Sequence, residues 1–304
     1  MERRLEAIAG EALRRDVPLR EHTSFAVGGP ARLFVESGAS SVVAGCLAAA
    51  VDGGERILFL GGGTNLLVSD AGFDGVVVKP AFDGLELHPE EGQVVAGASI
   101  PAARLVDELV DRGLGGLEFA AGLPGTVGGA VAGNAGCFGS TFGDRLLWAE
   151  VITGAGEVAR VERDALGFCY RRSEIAARGW LVSRVCFVVE EADRGDLLEI
   201  ADGHKATRRE RHPAPTRKTA GSYFKNLPPL EPGGRRRAAG QLLDAVGAKE
   251  MRVGDATVFE KHANIIVNAG SATAAQILQL AGEMAARVED RFGVILEPEV
   301  RFVG

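Results

Sequence analysis

The segment TAGSYFKN, residues 219–226, combines side chains that could carry out chemistry. Ser222 follows a glycine, which is ordinary in a turn, but aromatic, cationic and amide side chains come directly after it. A plain turn does not need that mixture. Two interpretations are open at this point: the serine satisfies a backbone group, or it is a reactive hydroxyl held in a site.

Two other motifs hold groups that could bind or protonate an anion. In CYRRS, Arg171 carries a guanidinium fork that matches a carboxylate bidentately, although the adjacent Arg172 shows how common surface arginines are. In LEPE, Glu297 and Glu299 offer two carboxylates. Residues two apart on an extended strand point to the same side, so alternation does not separate them. A salt-bridged carboxylate at a strand edge is the alternative for Glu299.

The first glycine-rich motif is GGGTNLL, which follows the short apolar strand ILFL (57–60). It lacks the GxxxxGK[ST] pattern of a P-loop, and Leu66 stands where the Rossmann fingerprint needs a third glycine. A strand-to-glycine turn can still present several N–H groups to a pyrophosphate. A tight turn with no ligand is the alternative.

The second glycine-rich motif is GLPGTVGGAVAGNAGCFG, residues 122–139. Glycines three apart leave one face of the chain without side chains, and Pro124 is expected to start a short helix. A helix N-terminus beside such a face suits a pyrophosphate and an extended ring system. Two separated glycine motifs indicate a long dinucleotide, and FAD is long.

The elements that must position these motifs begin with an α/β pattern. An amphipathic helix is expected over MERRLEAIAGEALRRD, followed by a strand ARLFVE, a helix capped by Ser40, and the strands ILFL and VVVK. A second unit opens with QVVAGA and a helix whose first turn holds Pro101. It continues with the strand-like runs WAEVIT, EVARV and WLVSRVCFVVEE.

The character of the sequence changes at about residue 195. A helix LLEIADGHKATRRERH leads to a linker, and two further helices, RRRAAGQLLDAVG and one starting near Ser271, enclose a strand-like run ATVFEKHANIIVN. The tail VILEPEVRFVG is also strand-like. The predicted fold class is α+β, and the predicted domains are 1–80, 81–205, 206–293 and, for a closing strand, 294–304.

Composition excludes several classes of protein. The 304 residues carry 34 Lys+Arg against 41 Asp+Glu, a net charge of −7, so whole-surface attraction to nucleic acid or anionic lipid is not expected. No run approaches the roughly 20 apolar residues of a membrane span, and no secretion signal is expected at the N-terminus. The four cysteines form no CxxC and the five histidines no HExxH, so we expect reduced thiols, a cytoplasmic protein and no metal.

Six motifs in order closely resemble the UDP-N-acetylenolpyruvoylglucosamine reductase family of flavoenzymes. They are HTSFAVGGPA, GGGTNLLVSDAGFDGVVV, GLEFAAGLPGTVGGAVAGNAG, CYRRS, GSYFKN and LEPEVR, and they span residues 22 to 304. The resemblance implies a two-part FAD-binding fold of the vanillyl-alcohol-oxidase (PCMH) type followed by a substrate domain. It is closest to the subclass without an inserted substrate-covering loop.

The resemblance also implies the cofactor and its contacts. Some members of the wider superfamily tether flavin through a His or Cys near the first glycine loop, and residues 57–70 contain neither, so non-covalent FAD is expected, with NADPH as co-substrate. The implied FAD-binding residues are Gly61, Gly62, Gly63, Thr64, Asn65, Leu66, Gly122, Pro124, Gly125, Thr126, Gly128, Gly129, Asn134 and Gly136.

The implied reaction reduces an enolpyruvyl ether of a UDP-sugar to a lactyl ether. By the family's patterns, Arg171 binds the carboxylate, Ser222 donates the proton, and Glu299 rather than Glu297 assists at the developing enolate. Tyr170, Lys225 and Asn226 would contact the substrate. The family usually has proline where this chain has Leu227, which puts the local loop path in doubt.

Some alternatives stay open. Another oxidoreductase on the same flavin fold, or a non-catalytic UDP-sugar-binding protein, would share part of these features. The basic run over residues 205–218 is either a solvated helix face or a diphosphate contact. His262 is expected to be packed or hydrogen-bonded rather than catalytic.

Overall fold

The computed structural model describes residues 1–231 and 233–304. The helices follow the apolar periodicity of the sequence, as in the longest, where residues at 277, 280, 284 and 288 are buried on one face. The helices are α1 (Glu2–Ala9), α2 (Ser40–Asp52), α3 (Ala102–Asp111), α4 (Val127–Ala132), α5 (Phe142–Arg145), α6 (Glu174–Ala177), α7 (Arg194–Arg211), α8 (Ala239–Ala245) and α9 (Ala274–Phe292). Within the described ranges, no helix combines the length and the apolar character needed to cross a bilayer.

The strands lie mostly in the first two thirds of the chain, and together with the helices they confirm the predicted α+β class. They are β1 (Leu13–Pro18), β2 (Pro30–Ser37), β3 (Ile57–Phe59), β4 (Leu66–Val68), β5 (Phe73–Pro80), β6 (Leu85–His88), β7 (Gln93–Gly97), β8 (Leu114–Gly115), β9 (Gly136–Cys137), β10 (Ser140–Thr141), β11 (Leu146–Ile152), β12 (Val158–Glu162), β13 (Leu181–Val188), β14 (Glu190–Glu191), β15 (Arg252–Val253), β16 (Ala256–Val258), β17 (Ile266–Asn268) and β18 (Arg301–Val303).

The chain divides into two compact units, each built from several segments. Unit 1 consists of Met1–Val17, Ala31–Gly62 and Asp74–Arg208. Unit 2 consists of Pro18–Pro30, Gly63–Phe73 and Arg209–Gly304. The domain boundaries expected from the sequence stay predictions.

Unit 1 contains two sheets with separate cores. One sheet has the strand order β1-β2-β5-β3, in which β3 and β5 are parallel, and α1 and α2 share its core. The other has the order β12-β11-β13-β7-β6 with antiparallel neighbours, and α3 and α4 share its core. Burial of apolar surface, at about 25 cal/mol per Å², is the main force that holds each sheet against its helices.

Unit 2 is a smaller α+β assembly. Strands β15, β16 and β17 form an antiparallel sheet, and α8 and α9 share its core. Strand β18 pairs in parallel with β4, which brings Arg301 opposite Leu66. The closing segment of the chain therefore lies beside the strand that follows the first glycine motif.

Two of the predicted helices differ from the observed ones. The N-terminal helix ends at Ala9, and residues 13–18 form β1 instead, because pairing with β2 overrides local helical periodicity. Helix α2 begins at Ser40 but does not use it as a cap, since Ala39 holds that position.

Two further predictions in unit 2 are also wrong in detail. Helix α9 is capped by Thr273, whose side chain and that of Gln276 form a capping box, and not by Ser271. The run ATVFEKHANIIVN is not one strand: it forms β16, a turn and β17. The mostly polar segment EKHAN, residues 260–264, lies in that turn.

Candidate active site

The first glycine motif forms a loop between β3 and β4. Gly61 and Gly62, in unit 1, lie against the second glycine motif. A Cβ on Gly62 would stand 3.0 Å from the Cα of Gly125, and one on Gly61 would stand 2.6 Å from Thr126 Oγ1. Close packing against the Thr126 side chain and the Gly125 backbone therefore disfavours a side chain at these two positions, a reason that the sequence pattern alone does not distinguish from contact with a ligand.

The amide groups of this loop suit it to a phosphate. In the described part of unit 1, the N–H groups of Gly61 and Gly62 donate no hydrogen bond. Among the described residues of unit 2, the same is true of Gly63, Thr64 and Asn65. Successive N–H groups without an acceptor in the protein are the donors that an anion-binding loop needs. The loop therefore fits the pyrophosphate of FAD.

The second glycine motif begins α4, with Thr126 as its N-cap. The first two N–H groups of the helix are already used: Val127 donates to Ile100 O at 2.9 Å and Gly128 donates to Ala98 O at 2.8 Å. The amides that this helix start was expected to offer to a pyrophosphate are thus bonded within unit 1. The loop after β3 offers amides that this helix start does not.

Arg171 stands in a tight turn with strained backbone. The turn is closed by two hydrogen bonds between the backbones of Cys169 and Arg172, of 3.1 and 3.2 Å. Arg171 has φ 56°, in the left-handed region that costs a residue other than glycine about 1–2 kcal/mol. Its Nη1 donates to Gly136 O at 3.2 Å, and its Cζ lies 5.3 Å from the centre of the Tyr170 ring. Strained residues concentrate at functional sites, which supports a role for this one.

Asn134 holds the Arg171 turn in place. It is 4% exposed, its Nδ2 donates to Cys169 O at 2.9 Å, and its Oδ1 accepts from Gly143 N at 3.0 Å. On the other side of the turn, the buried Ser173 Oγ donates to Ala132 O at 2.6 Å. The amide of Asn134, expected to bind FAD, is therefore engaged with the backbone of unit 1.

Ser222 is half-buried in unit 2 and forms an antiparallel bridge with Ile265. The segment before it is anchored by Thr219, whose Oγ1 donates to Ile266 O at 2.6 Å. The aromatic residues after Ser222 are core residues, with Tyr223 3% and Phe224 2% exposed. Ser222 thus projects from a segment that is fixed on both sides.

The two candidate carboxylates differ in their surroundings. Glu297 is exposed and forms an ion pair with Lys225. Glu299 is half-buried, its N–H donates to Tyr223 O at 2.7 Å, and its carbonyl oxygen accepts from Asn65 Nδ2 at 3.0 Å. Because Tyr223 follows Ser222, these bonds place the backbone of Glu299 beside that of the candidate proton donor. Both glutamates lie before β18, which starts at Arg301, so the alternation of a regular strand does not apply to them.

Asn226 and Leu227 have structural partners of their own. Asn226 Oδ1 accepts from Ala239 N, the first residue of α8, at 3.2 Å. Leu227 N donates to Arg237 O at 2.9 Å, and the Leu227 side chain is 9% exposed in the core of unit 2. A proline at 227 could not donate this bond.

The basic run at 205–218 is partly paired. Lys205 Nζ lies 2.8 Å from Asp107 Oδ1, and Lys218 Nζ donates to Gly270 O at 3.0 Å. The remaining predicted cofactor contacts lie in or next to the elements already described: Leu66 opens β4, Gly122 and Pro124 precede α4, Gly129 lies in its first turn, and Gly136 opens β9.

Asn264 is a residue that sequence reasoning did not single out. It is 2% exposed, and its side chain bonds to the backbone of Phe224. The available signal was a polar residue directly before the apolar run IIVN, at a position that becomes buried.

Comparison with known proteins places these motifs in a family. A family model described as the C-terminal domain of UDP-N-acetylenolpyruvoylglucosamine reductase matches residues 212–303, and one described as an FAD-binding domain matches residues 31–162. The reductase of Rubrobacter xylanophilus is 39% identical over 96% of both chains. That of Geobacter metallireducens is 41% identical over 98% of this chain and 95% of its own. The solved structure of UDP-N-acetylenolpyruvylglucosamine reductase from Thermus caldophilus covers 96% of this chain and 100% of its own, with a TM-score of 0.81 and 33% identity.

Proposed function

This chain belongs to the UDP-N-acetylenolpyruvoylglucosamine reductase family, and from that premise we propose that it is an FAD-dependent reductase of UDP-N-acetylglucosamine enolpyruvate. The product is UDP-N-acetylmuramate, a peptidoglycan precursor, and NADPH is the reductant. The two-part FAD-binding fold with a C-terminal domain agrees with the matches of both domains. Reaction in the cytoplasm and a role in cell shape and division are inferences from this function.

FAD, held by the proposed glycine-loop residues, would supply a hydride for the CH₂ carbon of the enolpyruvyl group. Arg171 holds the substrate carboxylate with its guanidinium fork, which stabilises negative charge that spreads from the adjacent carbon. Ser222 donates its hydroxyl proton to that adjacent carbon, which completes the lactyl ether. A serine hydroxyl is a weak acid, so it can protonate only a strongly basic carbon, and this reaction supplies one.

Glu299 and Lys225 complete the proposed set in unit 2. Glu299 assists at the developing enolate, and Lys225, oriented by Glu297, contacts the substrate. The observation that supports this part of the proposal is the hydrogen bond from Glu299 N to Tyr223 O, since Tyr223 directly follows the proposed proton donor Ser222. Tyr170 and Asn226 are proposed substrate contacts as well.

The test of the reaction is anaerobic. The purified yellow enzyme is reduced with NADPH, and UDP-N-acetylglucosamine enolpyruvate is then added while flavin absorbance is followed. Reoxidation at the rate of turnover is expected. If oxygen reoxidises the flavin and the enolpyruvyl sugar does not, the chain is another flavin oxidoreductase. If the protein binds the sugar without FAD, it is a binding protein.

Ser222→Ala tests the proton donor. We expect this variant to keep FAD and its reduction by NADPH, and to lose most of the reoxidation by the enolpyruvyl sugar, on the order of 10²–10⁴-fold. Ser24→Ala is the matched control, since Ser24 is a half-buried serine of the same unit outside the proposed set. Normal turnover in Ser222→Ala would exclude the proton-donor role.

A further inference from the structure

Asn264 lies in the turn between β16 and β17, and its side chain forms hydrogen bonds with a backbone segment as a neighbouring strand would. Its Oδ1 accepts from Phe224 N at 2.9 Å, and its Nδ2 donates to Phe224 O at 2.8 Å. Its own carbonyl oxygen accepts from Tyr223 N at 2.7 Å. One asparagine therefore satisfies three backbone polar groups, Tyr223 N, Phe224 N and Phe224 O, of the segment that carries Ser222.

The position of Asn264 is itself fixed by the turn. Phe259 N donates to Ile265 O at 2.8 Å, and Ile265 N donates to His262 O at 3.0 Å. Asn264 N donates to His262 Nδ1 at 3.3 Å. His262 thus accepts a hydrogen bond inside the turn, so this part of the EKHAN sequence stabilises the turn.

Both candidate catalytic groups of unit 2 are placed relative to this amide. Ser222 pairs with Ile265, the residue after Asn264, and Tyr223 O receives the N–H of Glu299. Rotation or slippage of the 222–224 segment would move Ser222 and Glu299 together. With Asn264 in place, the Phe224 peptide groups have one hydrogen-bonded arrangement, because they are buried away from water.

We propose that Asn264 is a positioning residue, which acts through Ser222 by holding its backbone in the orientation needed for proton donation. This inference rests on the proposed function, since it concerns the proton that completes the substrate reduction. Misplacement of a reacting group by about 1 Å can cost on the order of 10²-fold in rate. The amide of Asn264 supplies the constraint that prevents such misplacement.

The test measures the two half-reactions of FAD-loaded enzyme by stopped flow. For Asn264→Ala we expect flavin reduction by NADPH within about twofold of the wild type, and reoxidation by UDP-N-acetylglucosamine enolpyruvate slowed on the order of 10²-fold. Asn264→Gln keeps an amide with both the acceptor and the donor on a longer side chain, so its loss should be smaller. Asn264→Gln also carries the test if the alanine variant does not fold.

Asn268→Ala is the matched control. Asn268 is equally buried, at 4% exposure, and it makes three side-chain hydrogen bonds, to Phe25 O, Gly270 N and Ala272 N. None of these holds residues 222–224. We expect a loss of thermal stability like that of Asn264→Ala, with reoxidation by the enolpyruvyl sugar close to wild type.

A double variant separates positioning from a general structural effect. If Asn264 acts through the Ser222 hydroxyl, Asn264→Ala should slow reoxidation little further in a Ser222→Ala background, because residues that act as a unit are non-additive. Full additivity, or normal reoxidation in Asn264→Ala when Ser222→Ala is slow, overturns the inference and leaves the proposed function standing. Failure of the wild type to be reoxidised by this sugar overturns the proposed function itself.

Discussion

At the scale of single residues, Arg171 combines a proposed substrate-binding side chain with a backbone conformation that glycine adopts more easily. Its φ of 56° is the left-handed region, which most side chains avoid, and the turn around it is closed by hydrogen bonds on both sides. Such strain persists only where the surrounding structure enforces it. Here Asn134 and Ser173 do so, through their bonds to Cys169 O and Ala132 O.

A pair of substitutions measures that strain. We expect Arg171→Gly to unfold with a free energy about 1 kcal/mol higher than Arg171→Ala, because only glycine relieves the left-handed conformation. Both should retain FAD and lose most turnover. The control is Arg172→Gly against Arg172→Ala, at a position without positive φ, where glycine should be the less stable of the two. Denaturant unfolding and steady-state turnover are the measurements, and equal stability of the two Arg171 variants would contradict the strain argument.

The candidate catalytic residues could be chosen from the sequence only through the motifs of a family. Neither composition nor periodicity separates Glu297 from Glu299, since that depends on where an irregular backbone places each carboxylate and on the ion pair of Glu297 with Lys225. Asn134 and Asn264, by contrast, have structural roles that the sequence did not indicate. Their roles arise from burial against backbone carbonyls distant in sequence, which no local pattern reports.

At the scale of elements, periodicity predicted most helices and strands, and the failures have a common physical cause. Residues 13–16 were expected in the N-terminal helix but lie in β1, because a hydrogen-bonded neighbour in the sheet outweighs local propensity. The run at 256–268 reads as one strand but contains a turn whose polar groups are bonded internally. Tertiary partners decide both cases, and they are invisible in a short window of sequence.

Two glycines of helix α4, Gly128 and Gly129, have different surroundings. A Cβ on Gly128 would stand 2.7 Å from Ala98 Cβ, so packing of unit 1 requires this glycine. Gly129 is exposed, and a Cβ there would meet only Thr126 Oγ1, at 3.4 Å. Alanine is favoured over glycine in a helix by about 1 kcal/mol. Glycine at position 129 therefore does not increase the folding stability of the protein without ligand.

We therefore expect Gly128→Ala to destabilise the FAD-free protein by about 1–3 kcal/mol, as overpacking does. Gly129→Ala should instead stabilise it by about 0.5–1 kcal/mol and weaken FAD binding. Thermal unfolding of both variants, with and without added FAD, tests this. If Gly129→Ala binds FAD as tightly as the wild type, that glycine does not serve the cofactor.

At the scale of the whole molecule, the net charge of −7 leaves recognition of an anionic substrate to local groups, and their charges also shape the response of stability to pH. Burial lowers the pKa of His262, the hydrogen bond of its own backbone opposes that effect, and Lys249 and Arg211 lower the pKa further. His262 Nδ1 accepts from Asn264 N, an arrangement that the neutral ring provides. Folding therefore favours the neutral form of the His262 ring.

The sign of the pH dependence follows from that lowered pKa. In the unfolded chain His262 titrates near 6.5, so on acidification the unfolded state binds the proton first. The stability that neutral His262 contributes is present above that value and is lost as the pH falls from there through the lower folded-state pKa. We expect the free energy of unfolding of His262→Gln to decrease less than that of the wild type between pH 7.5 and about pH 5.5. Denaturant unfolding at the two pH values decides, and identical decrements in His262→Gln and the wild type would contradict the assignment of a neutral His262 to the folded state.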